Sequence, residues 1–226
     1  MKTKTTLQAV GYGFVAVVVF GVLLFWPAGT FHYWQAWAFL AVYAVAAVAA
    51  SIYGGIANPA VAQRRMRGGP AAETRAAQKL AVTALFAAFA SFLIVSALDH
   101  RFGWSAVPAA VSIFGDVLVA VGLAVGTLTV VQNNYAAANI TVEADQPVIS
   151  TGLYGVVRHP MYFSLVIVMV GIPLALGSYW ALAGLAVGLL ALALRIEDEE
   201  KMLEDELAGY REYQQKVRSR LVPFVW

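Results

Sequence analysis

Cysteine is absent from the 226 residues, and histidine appears only three times. Without thiols the chain can build no thiolate zinc site, iron–sulfur cluster, disulfide framework or cysteine nucleophile. The redox compartment is left open. Three histidines with no His–carboxylate metal spacing make a metal site improbable. Charge is scarce as well. Charged residues make up 12% of the chain, hydrophobic residues make up 61%, and the mean hydropathy is +0.72. Soluble domains run at roughly 25% charged and 45–50% apolar, so an ordinary globular protein is excluded. Disorder fails on the same grounds, and 19 Gly with 8 Pro cannot make a collagen-like chain. The net charge of +2 gives no reason to expect a nucleic-acid partner. The solvent for most of this chain is a bilayer.

A helix needs about 20 mostly apolar residues to cross the hydrocarbon core. Runs free of charge extend over Leu7–Trp26, Trp34–Ile56 and Leu80–Leu98, and a fourth apolar run, Val107–Val131, carries the single charge of Asp116. A further apolar block, Met161–Leu194, is too long for one span and carries Gly177-Ser178 at its middle. It reads as a tight helical hairpin, giving about six crossings in an all-α membrane bundle. A single tilted helix and a re-entrant pair are the alternatives for this block. The chain divides into four spans over residues 1–131 and a polar-rich region over 132–226, within one membrane domain.

Six crossings put both termini, the loop Arg64–Lys79 and the loop Gln132–Pro160 on one side. That side carries 14 of the 15 Lys and Arg, and the other carries Arg101 alone. The positive-inside bias makes the basic side cytoplasmic, and an inner membrane of bacterial type is the expected location. The first span outlasts a signal-peptide core and has no A-x-A-like site after it, so it reads as an anchor that stays. Gly122–Gly126 and Gly184–Gly188 each read Gly-Leu-Ala-Val-Gly. Such GxxxG steps let helices approach closely, either as a homodimer seam or within the bundle.

Polar residues beyond residue 80 concentrate in the loop Gln132–Pro160 and the tail Arg195–Trp226. Only the short hairpin separates them, so both must meet at one membrane face. Pro160 suits the first position of a helix and holds His159 out of the α region, presenting it at the helix mouth. Arg158 and His159 also suit plain interfacial anchors. In the tail, Arg195 and Glu199 share a helix face. Ile196, Leu203, Tyr210 and Val217 recur every seven residues, with Leu207 and Leu221 widening the stripe, which predicts a C-terminal amphipathic helix. The acids around Asp198 suit a solvated helix start. Asp116, within the fourth span and nearer its outer half, reads as structural, although such charges often mark a polar pocket.

The run Gly152-x-Tyr154-x-x-x-Arg158-His159-Pro160-x-Tyr162 resembles the signature of the isoprenylcysteine carboxyl methyltransferase and phospholipid methyltransferase superfamily. Arg195, Glu199-Glu200, Leu203, Tyr210, Tyr213, Val217, Arg218 and Pro223 resemble its second motif. The likeness covers roughly residues 130–226. It implies an integral membrane enzyme that binds S-adenosyl-L-methionine between loop and tail. By that resemblance Tyr154, Arg158, His159 and Tyr162 line the cofactor pocket. Glu199 or Glu200 holds the methionine amino group, and the main chain near Val148 and Ile149 faces adenine. Gln146 stands where the family has a histidine, and Leu153 where it often has proline.

A carboxylate acceptor is already ionised and needs only alignment with the methyl group, which Arg195 could supply by a bidentate contact. An amine or thiol would need a base, for which Glu200 and His159 are the candidates. The expected acceptor is lipophilic, isoprenylcysteine-like or another lipid or small molecule. Two rival readings are an NADPH-dependent reductase of the sterol reductase type and a non-enzymatic membrane protein. The acidic Glu143 and Asp145 argue against the first. The basic loop Arg64–Arg75, suited to anionic lipid, favours the second but leaves the paired motifs unexplained.

Overall fold

Long uncharged runs cannot leave backbone N–H and C=O groups unpaired in lipid, and the helix pairs them within one segment. The computed structural model describes residues 2–57, 71, 73, 75–133, 135, 142, 146–223 and 225–226, with backbone alone at 2–4 and 54–57. Arg64, Arg65, Arg67, Glu143 and Asp145 lie outside these, as do the side chains of Lys2 and Lys4. Seven α-helices and no strands occur among the described residues. They are α1 (Lys2–Ala28), α2 (Trp34–Ala57), α3 (Ala76–Phe102), α4 (Ala109–Gln132), α5 (Pro160–Ala175), α6 (Gly184–Glu206) and α7 (Tyr210–Lys216).

Five spans are long and apolar enough to cross a membrane, and α5 is a shorter sixth apolar helix. The block after residue 160 is indeed a hairpin. Its turn is Leu176-Gly177-Ser178, where Gly177 adopts φ +71°, before a 3-10 turn at Trp180–Ala183. With 16 residues, α5 rises about 24 Å, short of the roughly 30 Å core.

Small residues set the tightest seam. A Cβ on Gly115 would lie 2.1 Å from the Ala175 nitrogen, and one on Gly122 would lie 2.6 Å from Val168 Cγ2. Gly126 abuts Ser164, while Gly184 abuts Phe92 and Gly188 meets Met169. Both GxxxG faces are therefore covered within the chain, and the homodimer seam that they suggested is an intrachain one. Gly115→Ala should force α4 and α5 apart at the cost of about 3 kcal/mol. A fall of several degrees in the melting point of the detergent-solubilised protein would show it.

Arg101 and the Asp99–Ser105–Ser178 hydrogen bonds mark one end of the bundle. The far end carries Arg75, Arg158, Arg195 and Arg220. Asp116 is buried near the Arg101 end, one residue from the Gly115–Ala175 contact and away from the basic end.

The tail departs from the expected single amphipathic helix. The acids at 198–200 do not open a helix, because α6 runs unbroken from Gly184 to Glu206. Gly209, at φ +83°, then turns the chain into the seven-residue α7. A left-handed residue cannot continue an α-helix, and glycine takes that conformation at little cost. The seven-residue stripe still marks the buried side. Ile196, Tyr210, Val217 and Leu221 are all buried, on both sides of the break.

Candidate active site

The loop before α5 is fastened at both ends. Gly152 takes φ +60°, and a Cβ there would meet the Gln132 amide at 2.6 Å. That amide accepts a 2.8 Å hydrogen bond from the Leu153 N–H. Further on, the N–H groups of Arg158 and His159 donate to the carbonyls of Ser219 and Arg220, both at 2.9 Å. Tyr213 Oη donates to the Tyr154 carbonyl at 2.7 Å. Loop and tail, far apart in sequence, thus form one layer over the helix ends, and Pro160 starts α5 with His159 as its cap.

Glu200 is the knot of that layer. It is 3% exposed and accepts from Arg158 Nε at 2.7 Å and Arg220 Nε at 2.8 Å, with His159 Nε2 at 3.0 Å. Arg158 Nη1 also donates to the carbonyls of Val217 and Arg218. One buried carboxylate is thereby matched by cations from the loop and the tail, the condition under which a buried charge is tolerated.

One turn earlier, Arg195 is committed in three directions. Its Nε donates to Tyr162 Oη at 2.9 Å and its Nη1 to Gln78 Oε1 at 2.8 Å, while Nη2 lies 2.9 Å from Glu73 Oε1. Tyr162 Oη in turn donates to Glu199 Oε2 at 2.5 Å. The shared helix face of Arg195 and Glu199 is therefore bridged by a tyrosine from α5. Asp198 faces elsewhere: it accepts from Arg75 at 2.7 Å and from Gln78 at 2.6 Å, tying α6 to the start of α3.

A cleft opens between these groups. Pro147, Val148, Ile149, Leu203 and Leu207 give it an apolar side. Tyr154, Tyr162, Tyr210 and Tyr213 supply aromatic rings, and Glu199, Arg158, Arg195 and His159 supply charge or hydrogen-bonding groups. The Tyr210 hydroxyl is buried with no partner among the described residues. Burial, reinforced by Glu200 and Glu199 at Tyr210 and by Tyr154 and Glu200 at Tyr213, raises the pKa of both phenols well above the ordinary range. Both stay O–H donors.

Residues 111–205 match the model of the Isoprenylcysteine carboxyl methyltransferase (ICMT) family. That stretch is similar to the isoprenylcysteine carboxyl methyltransferase family. It spans less than half of the chain but includes the loop motif, the hairpin and the Arg195–Glu200 segment. The match supports a membrane methyltransferase. No curated protein matches the chain.

Of the residues that the sequence nominates, Gln146, Val148, Ile149, Tyr154, Arg158, His159, Tyr162, Arg195 and Glu199 all line the one cleft. Glu200 stands behind it, its oxygens taken by Arg158, His159 and Arg220. Sequence reasoning overlooked Glu73 and Gln78, which complete the surroundings of Arg195. Gln78 could have been noticed as a polar residue that the next apolar span must bury. Glu73 carries no such signal, because its role exists only where the α2–α3 connection meets α6. Tyr210 was legible as a stripe residue and Tyr213 as part of the second motif, but neither as part of a cleft.

Proposed function

We propose that the chain transfers a methyl group from S-adenosyl-L-methionine to a lipophilic acceptor at the cytoplasmic membrane face, with a carboxylate as the accepting group. The observation that carries this reading is the cleft itself. It gathers both motifs of a methyltransferase family between the loop and the tail, at the basic end of the bundle. By the positive-inside bias that end faces the cytoplasm.

The donor set suits this cofactor. Glu199 offers a carboxylate to an ammonium group, and Tyr154 and Tyr162 offer ring faces to adenine or to a sulfonium. Val148 and Ile149 lie on the apolar side. The unpartnered Tyr210 hydroxyl is a buried donor awaiting an acceptor atom, which a bound ligand would satisfy. Bound there, S-adenosyl-L-methionine supplies a methyl group on a sulfonium, an electrophile that needs alignment more than activation. Tyr162 holds Glu199 and Arg195 in register, Arg195 orients an anionic acceptor, and Leu203, Leu207 and Met161 favour an apolar one.

Calorimetric titration of the detergent-purified protein with S-adenosylhomocysteine, with NADPH alongside, tests the reading. Binding of S-adenosylhomocysteine, weakened about tenfold or more by Glu199→Gln for the loss of a charged contact, is the expected result. NADPH binding alone would make the protein a reductase. Silence from both ligands would leave a non-enzymatic membrane protein as the better account.

A further inference from the structure

Arg195 is 5% exposed, and its Nη2 is already ion-paired with the Glu73 carboxylate, itself 4% exposed. Its other two nitrogens serve Tyr162 and Gln78. A carboxylate acceptor that reaches this guanidinium therefore finds a carboxylate already seated there. Leaving a buried guanidinium without a counter-charge is costly, so some anion has to balance Arg195 while no acceptor is present.

We propose that Glu73 is a specificity-determining residue: it occupies the seat of the acceptor carboxylate on Arg195 and is exchanged for it. The inference rests on the anionic-acceptor reading given above. Exchange of one carboxylate for another keeps the guanidinium covered, and the freed Glu73 carboxylate has to turn out to water, because left buried it would lack a counter-charge. A neutral amine, thiol or amide offers no such compensation and is refused. Methylation turns the acceptor into a neutral ester, which no longer balances Arg195. Return of Glu73 to Arg195 then favours release of the product. The residue thus selects at entry and expels at exit through a single ion pair.

The position of Glu73 relative to the cleft supports this division of labour. Arg195 and Glu199 line the cleft and Glu73 does not, so an acceptor carboxylate that exchanges with Glu73 has to meet Arg195 from outside the residues that would hold the cofactor. Removal of Glu73 should therefore act on the acceptor and not on the cofactor.

The test is calorimetry on the full chain in detergent, saturated with S-adenosylhomocysteine. The probes are an S-dodecyl-N-acetylcysteine carboxylate and its carboxamide. Glu73→Gln should tighten the carboxylate probe about tenfold, the scale of one buried charge contact. Affinity for the carboxamide and for S-adenosylhomocysteine should not change. Should the glutamine variant fail to fold, Glu73→Asp, whose shorter side chain reaches Arg195 less well, is expected to move the carboxylate probe in the same direction. Unchanged or weaker binding of that probe to a folded variant that retains S-adenosylhomocysteine overturns the role of Glu73. Equal tightening of both probes overturns it too, because competition would then not be by charge. If wild type and variant both ignore the carboxylate while binding S-adenosylhomocysteine, the anionic acceptor falls and the cofactor reading stands. If neither binds S-adenosylhomocysteine, the methyltransferase reading itself has failed.

Discussion

Arg195→Ala should abolish methyl transfer, lowering the rate at least about 10²–10³-fold, while the folded variant still binds S-adenosylhomocysteine. Of the cleft's cations, Arg158 is tied to Glu200 and to two tail carbonyls. Arg195 instead pairs with Glu73, a carboxylate from the connection before α3. Glu199 accepts a hydrogen bond from Tyr162, an anchor that does not vanish with the guanidinium. Truncation does leave Glu73 buried without its counter-charge, a loss of about 3–5 kcal/mol in stability. A melting curve must therefore accompany the assay. Arg195→Lys separates the two effects. It keeps the charge that Glu73 needs but cannot reach Tyr162, Gln78 and an acceptor with one ammonium, so it should fold and still lose most of the turnover. Unimpaired turnover in the alanine variant would remove Arg195 from the acceptor site.

The parts of this architecture that follow from one-dimensional periodicity were legible in the sequence. Apolar run length gave the spans, Gly177-Ser178 gave the hairpin turn, and the heptad from Ile196 to Val217 marked the buried face of the tail. The meeting of loop and tail followed from the shortness of the hairpin between them. What the stripe could not reveal was the turn at Gly209, because a long helix followed by a short one turned away from it buries the same residues as one continuous helix. The two GxxxG steps were ambiguous for a related reason. A small-residue face invites a close neighbour without saying whether that neighbour is the same chain, and here it is: Ser164 and Val168 for one, Phe92 and Met169 for the other. Adjacent acids posed the hardest problem. Asp198, Glu199 and Glu200 are consecutive in sequence, but successive helical residues point about 100° apart. Each consequently meets a different set of partners: Arg75 and Gln78, then Tyr162, then Arg158, His159 and Arg220.

That divergence makes Glu200→Gln the most informative partner to Glu199→Gln. Substitution at Glu199 removes a cleft carboxylate and should weaken S-adenosylhomocysteine without moving the melting point much. Substitution at Glu200 removes the anion that Arg158, His159 and Arg220 share. It leaves two guanidinium groups facing each other across a buried amide, at a cost of about 3–5 kcal/mol. The loop and the tail are joined through these residues and through the two backbone hydrogen bonds at 158 and 159. Loss of the charge should therefore lift the segment after α7 away from the loop. Three readouts should move together in Glu200→Gln: S-adenosylhomocysteine affinity falls, the melting point falls, and trypsin cleaves more rapidly at Arg218 and Arg220. The hydrophobic cluster of Tyr210, Tyr213 and Val217, with Val148 packed against it, joins tail and loop, so it should loosen with them, and the cleft loses its wall even though Glu199 and Tyr162 are intact. A variant that loses affinity with unchanged melting and proteolysis would make Glu200 a cofactor ligand instead of the knot behind the cleft.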